Sequence, residues 1–140
     1  MNQLRARQQD LCYQDILAHC DARSTPTNLQ IEKDLLRTLP TNICFQRSDS
    51  VGVARLRRVL RGVASHHPDV GYCQGMGMIV ATLLLVCEEE DVFWMMSAVM
   101  EDLLPASYFS SNLWGAQADQ AVLQSLVTSL LPGLASSLAR

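Results

Sequence analysis

The chain has 140 residues, of which 49% are hydrophobic and 18% are charged, so it is too apolar to be disordered and long enough for one domain with a buried core. Its net charge is −3, but residues 1–70 carry ten Lys or Arg against seven Asp or Glu, and residues 71–140 carry one against seven. We expect no general affinity for nucleic acid, because domains that bind it carry a basic footprint.

The cysteines and the apolar runs bear on the compartment. Five cysteines are widely spaced and include no CxxC pair, which is typical of reduced thiols in a cytosolic protein. The first twenty residues lack the continuous apolar stretch of a signal peptide. The longest apolar run, residues 76–87, is shorter than the ~20 residues that cross a bilayer. It predicts a buried helix instead.

Apolar residues recur at helical spacing through nearly the whole chain, and no segment shows the alternation of a β-strand. The sequence therefore predicts an all-α fold without a sheet. The first helix is expected within residues 2–20, with its core positions at Leu4, Leu11, Ile16 and Leu17. The second begins at a capping box of Thr27 and Gln30 and finishes near Thr38, because Pro40 disfavours helix in the residue before it.

A third predicted helix starts near Val53 and carries two different faces. Its apolar face consists of Val53, Leu56, Val59, Leu60 and Val63. Its basic face belongs to a cluster that consists of Arg47, Arg55, Arg57, Arg58 and Arg61. Such a cluster is more often a solvated helix face than a surface for a partner or a phosphate. His66 and His67 close the helix, and we expect them to be plain helix-terminal residues outside any metal site.

The second half of the chain contains further predicted helices. The apolar run forms one, and the acidic residues 88–91 stabilise the N-terminal end of the next, which covers about residues 91–104. The core face of this helix is expected at Val92, Phe93, Met96, Val99 and Leu103.

The last predicted helix runs from about Ala116 to Leu131, where Pro132 interrupts it. Apolar residues continue beyond the proline without a capping signal, so the domain is expected to be incomplete at this end. An uncovered helix here exposes an apolar patch that consists of Leu126, Leu130, Leu134 and Leu138. Such a patch predicts aggregation or binding of a partner.

Two short segments combine polar groups with apolar neighbours. Ile31, Asp34 and Arg37 repeat every three residues on one helical face, where Asp34 is able to hold Arg37 in an ion pair. Tyr72 and Gln74 precede a glycine at the entry to the apolar helix. Taken singly, the first segment is typical of a surface ion pair and the second of a structural turn. Phosphate-loop, dinucleotide-binding and nucleophile-elbow motifs are absent, so we expect no nucleotide bound by this chain itself.

Together, IxxDxxR followed by YxQ and a glycine resembles the two central motifs of the TBC domain, the family of Rab GTPase-activating proteins. The stretch from Gln30 to about Leu131 is most similar to the small G-protein signalling modulator branch. The resemblance implies a TBC-like helical fold, of which residues 1–140 form the N-terminal part. The first helix is expected to be incomplete, because the family has an early motif with an arginine and a tryptophan and this chain has no tryptophan before Trp94. The C-terminal half is expected to be incomplete, because most of it would follow residue 131.

The resemblance also implies a function. The chain would not be an enzyme itself but would stimulate GTP hydrolysis by a Rab-family GTPase, with Arg37 as an arginine finger and Gln74 as a glutamine finger. Ile31, Asp34 and Tyr72 would support the two fingers. No cofactor of the chain is implied, because GTP and Mg²⁺ belong to the partner GTPase. The implied location is cytoplasmic, with a role in vesicle trafficking, and peripheral association with endomembranes stays open.

Other interpretations also stay open at this point. A helical interaction module would bind a small GTPase, or another adaptor, without activating it. An unrelated all-α domain would carry the two motifs by chance. The basic face around Arg55 and Arg58 would, in a further hypothesis, steer a Rab or an anionic membrane surface.

Overall fold

The computed structural model describes residues 12–20, 25–105, 108–109 and 112–138. Over these ranges it contains helices and turns but no strand, which confirms the predicted all-α fold. The α-helices described are α1 (Tyr13–His19), α2 (Pro26–Leu35), α3 (Val51–His66), α4 (Met76–Leu84), α5 (Glu89–Ala98), α6 (Trp114–Leu130) and α7 (Pro132–Leu138). A π-helical turn, Val99–Leu103, continues α5. The helices fall into two compact units, residues 1–103 and residues 104–140.

Helix α3 is the centre of the first unit, where it packs against α1, α2, α4 and α5. Its predicted apolar face is confirmed, because no residue of that face is more than 1% exposed. The helix starts where the Ser50 hydroxyl accepts a hydrogen bond from the Val53 N–H. Each fully buried Val or Leu side chain contributes about 1.5–3 kcal/mol, so this face supplies much of the hydrophobic stabilisation of the unit.

Helix α1 places aromatic surface against that core. The Tyr13 ring is 2% exposed and lies 5.0 Å, centroid to centroid, from the ring of Phe93. Ile16 is buried as predicted, and Leu17 is half-buried. Leu4 and Leu11 lie outside the described residues, so the predicted extent of this helix toward residue 2 is not covered.

Helix α2 begins earlier than predicted. Its cap is Thr25, whose hydroxyl oxygen accepts a hydrogen bond from the Asn28 N–H at 3.1 Å. The capping box predicted at Thr27 is therefore wrong. The physical reason is Pro26, because a proline suits the first turn of a helix and has no N–H that needs a partner there.

Helix α2 also ends earlier than predicted, at Leu35. The next residues form a tighter turn, in which the Thr38 N–H donates to the Leu35 carbonyl at 3.3 Å. Leu39 then adopts a positive φ of 48° in front of Pro40. Arg37 consequently lies just past the helix end, on a turn rather than on the helix.

Helix α4 ends at Leu84, three residues before the predicted end. Met76, Val80 and Ala81 are no more than 1% exposed, but the opposite side of this segment is open. Its exposed apolar residues are Met78, Ile79, Leu85 and Val86. The prediction of a buried helix is therefore wrong for one face, because a continuous apolar run does not specify which faces other elements cover.

Helix α5 begins at Glu89, two residues before the predicted start, and buries Val92, Phe93 and Met96 as predicted. The π-helical turn then adds one residue to the helical repeat, which rotates the following side chains by about 100°. Met100, four residues after Met96, is still buried, whereas Leu103 is 72% exposed. The predicted core position at Leu103 is wrong for this reason.

The second unit contains α6 and α7. Leu131 separates them, and Pro132 occupies the first position of α7, so the predicted interruption is followed by another short helix. The four residues of the predicted apolar patch are between 48% and 72% exposed: Leu126, Leu130, Leu134 and Leu138. None of the helices described in the chain is both long and apolar enough to traverse a bilayer.

Candidate functional site

The site is organised around the carboxylate of Asp34, which is 4% exposed at the end of α2. Its Oδ1 accepts a hydrogen bond from Arg37 Nε at 2.9 Å and a second from Arg37 Nη2. Its Oδ2 accepts a hydrogen bond from the Tyr72 hydroxyl at 2.8 Å. The carboxylate thus joins the two segments that the sequence singled out, although 38 residues separate Asp34 from Tyr72.

The turn that leads into α4 carries Tyr72 and Gln74. Gly75 caps this helix with a φ of 106°, a conformation that strains other residues, so the chain is able to reverse sharply after Gln74. Burial, and then the hydrogen bond to Asp34, raise the pKa of Tyr72, so its hydroxyl stays protonated and donates throughout the physiological range. The Gln74 side chain is exposed.

Arg37 and Gln74 border the same shallow cavity, of about 250 Å³. Its lining consists of Asp34, Arg37, Thr38, Tyr72, Gln74, Gly75, Gly77 and Met78. The Arg37 side chain is 54% exposed although it is bonded to Asp34, so the guanidinium is accessible at the edge of the cavity. Ile31 is fully buried and does not line this cavity. It therefore anchors α2 in the core and does not contact a partner at the surface.

Two residues of this site received no role from the sequence. The hydroxyl of buried Thr38 donates to the Asp34 carbonyl at 2.7 Å, which fixes the turn after α2. A Cβ placed on Gly77 would lie 3.1 Å from Thr38 Oγ1 and 3.4 Å from the Tyr72 hydroxyl. A larger residue here would therefore require the Thr38 side chain to shift by a few tenths of an ångström. The i,i+4 spacing of Asp34 and Thr38 is the one signal in the sequence that pointed to this contact.

The basic cluster of the sequence is largely paired within the first unit. Glu32 of α2 accepts hydrogen bonds from Arg57 Nε at 2.7 Å and from Arg61 Nη2 at 3.0 Å. Hydrogen bonds from Arg57 hold the pKa of Glu32 below its ordinary value. These bonds fasten α2, and with it the turn that carries Arg37, to α3.

The remaining arginines of the cluster follow the same pattern. Arg58 Nη2 lies 2.6 Å from Glu89 Oε2, and Arg55 Nη2 lies 3.1 Å from Glu88 Oε2. Burial raises the pKa of Glu89, but the bonds from Arg58 and Tyr13 outweigh this effect and lower it overall. Most of the predicted basic face is thus neutralised by glutamates of the same unit, which leaves little unpaired charge for steering a partner.

The histidine pair lies at the end of α3, as the sequence predicted. The rings of His66 and His67 lie 4.7 Å apart, centroid to centroid, and one ligand atom from each lies within 4.8 Å of a Glu101 oxygen. His66 is the last residue of α3, and His67 is its C-cap, which leaves the helical conformation with φ −118° and ψ 69°.

Comparison with known protein families identifies the family to which this chain belongs. Residues 3–140 match the sequence profile of the Rab-GTPase-TBC domain. The chain belongs to the Rab-GTPase-TBC domain family. The resemblance inferred from the two motifs is thereby confirmed, and the third interpretation, an unrelated domain with a chance match, is excluded.

Individual relatives support the same assignment. The TBC chain is 55% identical over 130 residues to human small G protein signaling modulator 3, and the match covers 93% of this chain and 17% of that protein. It is 40% identical over 122 residues to human TBC1 domain family member 2B, which covers 87% of this chain and 13% of that protein. The chain therefore spans less than a fifth of the length of these curated relatives.

A solved structure shows the same fold. The crystal structure of the Chlamydomonas flagellar RabGAP TBC domain superimposes with a TM-score of 0.71 at 27% sequence identity. The match covers 95% of this chain and 43% of that one. The helical arrangement around Asp34, Arg37 and Tyr72 therefore belongs to a TBC fold.

Proposed function

We propose that this chain accelerates GTP hydrolysis by a Rab-family GTPase and that it supplies Arg37 and Gln74 in trans. The observation that carries the proposal is the shared cavity, which has the anchored but half-exposed guanidinium of Arg37 and the exposed amide of Gln74 at its border. The chain supplies these side chains without a nucleotide or cofactor of its own. GTP and Mg²⁺ arrive with the partner.

The chemistry of the partner explains why an arginine is needed. GTP hydrolysis in a small GTPase is slow because the charge that develops on the phosphoryl oxygens is poorly neutralised and the attacking water is poorly placed. A guanidinium carries a permanent charge and five N–H donors in a planar fork, which suits phosphate oxygens. Bonds to Asp34 use Nε and Nη2 of Arg37, so they hold the group in orientation without using all five of its donors.

The glutamine addresses the second fault. An amide both donates and accepts hydrogen bonds, so it is able to orient the attacking water. Gln74 stands directly before Gly75 and α4, and the Tyr72–Asp34 hydrogen bond ties its turn to the one that carries Arg37. A single buried carboxylate thus sets the spacing of both fingers, which is the positioning that a transition state requires.

Exposed apolar groups beside the cavity suit docking of a protein. Leu36 precedes Arg37 and is 51% exposed, and Met78 lines the cavity and is 48% exposed. Such groups at the rim of a polar site are typical of a surface that a partner covers.

The decisive experiment is single-turnover GTP hydrolysis over a panel of Rab proteins. We expect acceleration by the parent chain, and we expect Arg37→Ala to remove most of it, since an arginine finger contributes about 10³–10⁵ in rate. Gln74→Ala should also remove most of it, because the attacking water then loses the amide that orients it. Arg37→Lys should also fail, because an ammonium ion does not reproduce the fork. The matched control is Arg47→Ala, because Arg47 is an exposed arginine that pairs with an aspartate two residues away.

The same experiment tests the alternative. Rab binding by a folded parent chain with an unchanged hydrolysis rate would assign a non-catalytic interaction module. Acceleration that survives both finger variants would remove Arg37 and Gln74 from the mechanism.

A further inference from the structure

A cluster of metal-ligating side chains lies at the end of α3, separate from the cavity that Arg37 borders. His66 is the last residue of that helix, His67 is its C-cap, and Glu101 belongs to the π-helical turn after α5. One ligand atom from each side chain lies within 4.8 Å of the other two. Nε2 of His67 lies 3.6 Å from Oε1 of Glu101.

The fold holds these three groups together from two directions. The His66 ring lies 5.6 Å from the ring of Phe93 and 6.2 Å from that of Trp94, which restricts its orientation. On the other side, Glu101 belongs to the π-helical turn and lies four residues after Ser97, which also contacts His67. Turns of this kind occur often at functional sites.

The donor set matches a known coordination chemistry. Two imidazoles and one carboxylate, with water in the fourth position, form a common tetrahedral set for zinc. Ligand atoms about 2.0–2.1 Å from a shared tetrahedral ion stand roughly 3.4 Å from one another. The separation of 3.6 Å between His67 and Glu101 already approaches this value, and the third ligand atom, from His66, lies within 4.8 Å of both.

Nε2 of His67, which lies 3.6 Å from Glu101 Oε1, has a second neighbour. His67 Nε2 also lies 3.2 Å from the hydroxyl of Ser97, a buried residue of α5. When a metal takes Nε2, that hydroxyl is able to donate to the carbonyl four residues earlier in its helix.

We propose that His66, His67 and Glu101 form a site for Zn²⁺ or a divalent transition-metal ion of similar preference. Bound metal would join the end of α3 to the turn after α5 and would stabilise the first unit. The proposal does not depend on GTPase activation, because none of the three residues lines the Arg37 cavity.

Calorimetric titration of the reduced, purified chain with Zn²⁺ tests the proposal. We expect one ion per chain, a rise in the thermal unfolding midpoint with added Zn²⁺, and a loss of affinity of about tenfold or more in Glu101→Gln and in His66→Gln. Both replacements keep side-chain volume, and circular dichroism establishes that the variants are folded. Glu90→Gln and His19→Gln are the matched controls and should bind as the parent does, since both residues are exposed.

Cobalt distinguishes this site from the thiols, because the chain has five free cysteines that also attract zinc. Co²⁺ bound by His66, His67 and Glu101 should give visible d–d bands without the near-ultraviolet charge-transfer band of a thiolate ligand. That thiolate band, an absence of stoichiometric binding, or the parental affinity in either Glu101→Gln or His66→Gln would overturn the proposal.

Discussion

At the scale of single residues, Asp34 makes more hydrogen bonds than the ion pair with Arg37 that the sequence predicted. Its carboxylate accepts hydrogen bonds from Arg37 and Tyr72, and its carbonyl accepts one from Thr38. A nearly buried carboxylate without partners would cost several kcal/mol, so these bonds stabilise both the fold and the orientation of the guanidinium. The two effects separate experimentally when the side chain keeps its shape but loses its charge.

The change Asp34→Asn provides that separation. We expect the free energy of unfolding to fall by about 1.5–3 kcal/mol, since hydrogen bonds to a charged group are lost. We expect Rab activation per folded molecule to fall by about tenfold to 100-fold, because a small displacement of a reacting group is costly. Denaturant unfolding and single-turnover hydrolysis measure the two quantities.

A matched control exists elsewhere in the chain. Asp49 accepts two hydrogen bonds from Arg47 in the same carboxylate-to-guanidinium manner, but that pair is exposed. Asp49→Asn should change neither quantity appreciably. If folded Asp34→Asn activates a Rab as well as the parent does, Asp34 has a structural role alone.

At the scale of elements, the π-helical turn after α5 decides which residues reach the core. The α-helical period predicted Leu103 as a core position, seven residues after Met96, and Met100, four residues after Met96, lies on the same face. The extra residue in the turn leaves Met100 buried but rotates Leu103 toward solvent. Glu101, four residues after Ser97, lies 3.6 Å from His67.

This register predicts a contrast between two alanine substitutions. Met100→Ala should lower the free energy of unfolding by about 2 kcal/mol, because it removes buried apolar atoms and leaves a cavity. Leu103→Ala should change it by less than about 0.5 kcal/mol, because Leu103 is 72% exposed. Denaturant unfolding of the two variants measures the contrast. A cost for Leu103→Ala as large as that for Met100→Ala would mean that Leu103 reaches the core, as an uninterrupted α-helix would place it.

At the scale of the whole molecule, most arginines of the basic cluster in the first half of the sequence form ion pairs with glutamates of the first unit. Four arginines of α3 face three glutamates, one from α2 and two at the start of α5: Arg55, Arg57, Arg58, Arg61, Glu32, Glu88 and Glu89. These partly exposed pairs contribute modestly in energy, but they set how the helices are arranged. Buried contacts of α3 supply most of the stability.

The glutamates predict how stability depends on pH. The folded pKa of Glu32 is lowered from its ordinary value of 4.5, chiefly by the hydrogen bond from Arg57. Its contribution is therefore complete above pH 4.5 and is lost as the pH falls through the lower, folded pKa. Glu32→Gln should lower the free energy of unfolding by at most about 1 kcal/mol at neutral pH, because the pair is partly exposed.

Denaturant unfolding across the acid range measures this effect. The difference between the parent and Glu32→Gln should shrink below pH 4.5, whereas Glu90→Gln, which alters an exposed glutamate, should follow the parent throughout. A difference that stays constant down to pH 3 would show that the Glu32 contribution does not come from its charge.

The sequence by itself determined the helical class, the apolar face of α3, the two motifs and, through them, the family. Each of these depends on residue types at short spacing, so local periodicity and order along the chain were sufficient. The cap at Thr25, next to Pro26, shows that even a boundary follows from local rules when the right pair of residues is weighed.

Only the tertiary structure decided which groups meet across the chain. The contact of Asp34 with Tyr72, the pairing of Glu32 with Arg57 and the approach of Glu101 to His67 each join separate elements. Packing against neighbouring helices, and the π-helical turn among them, fixes these contacts, and neither leaves a periodic signal in the sequence. The sequence likewise showed that α4 is apolar, but only packing against neighbouring helices decided which of its faces is buried.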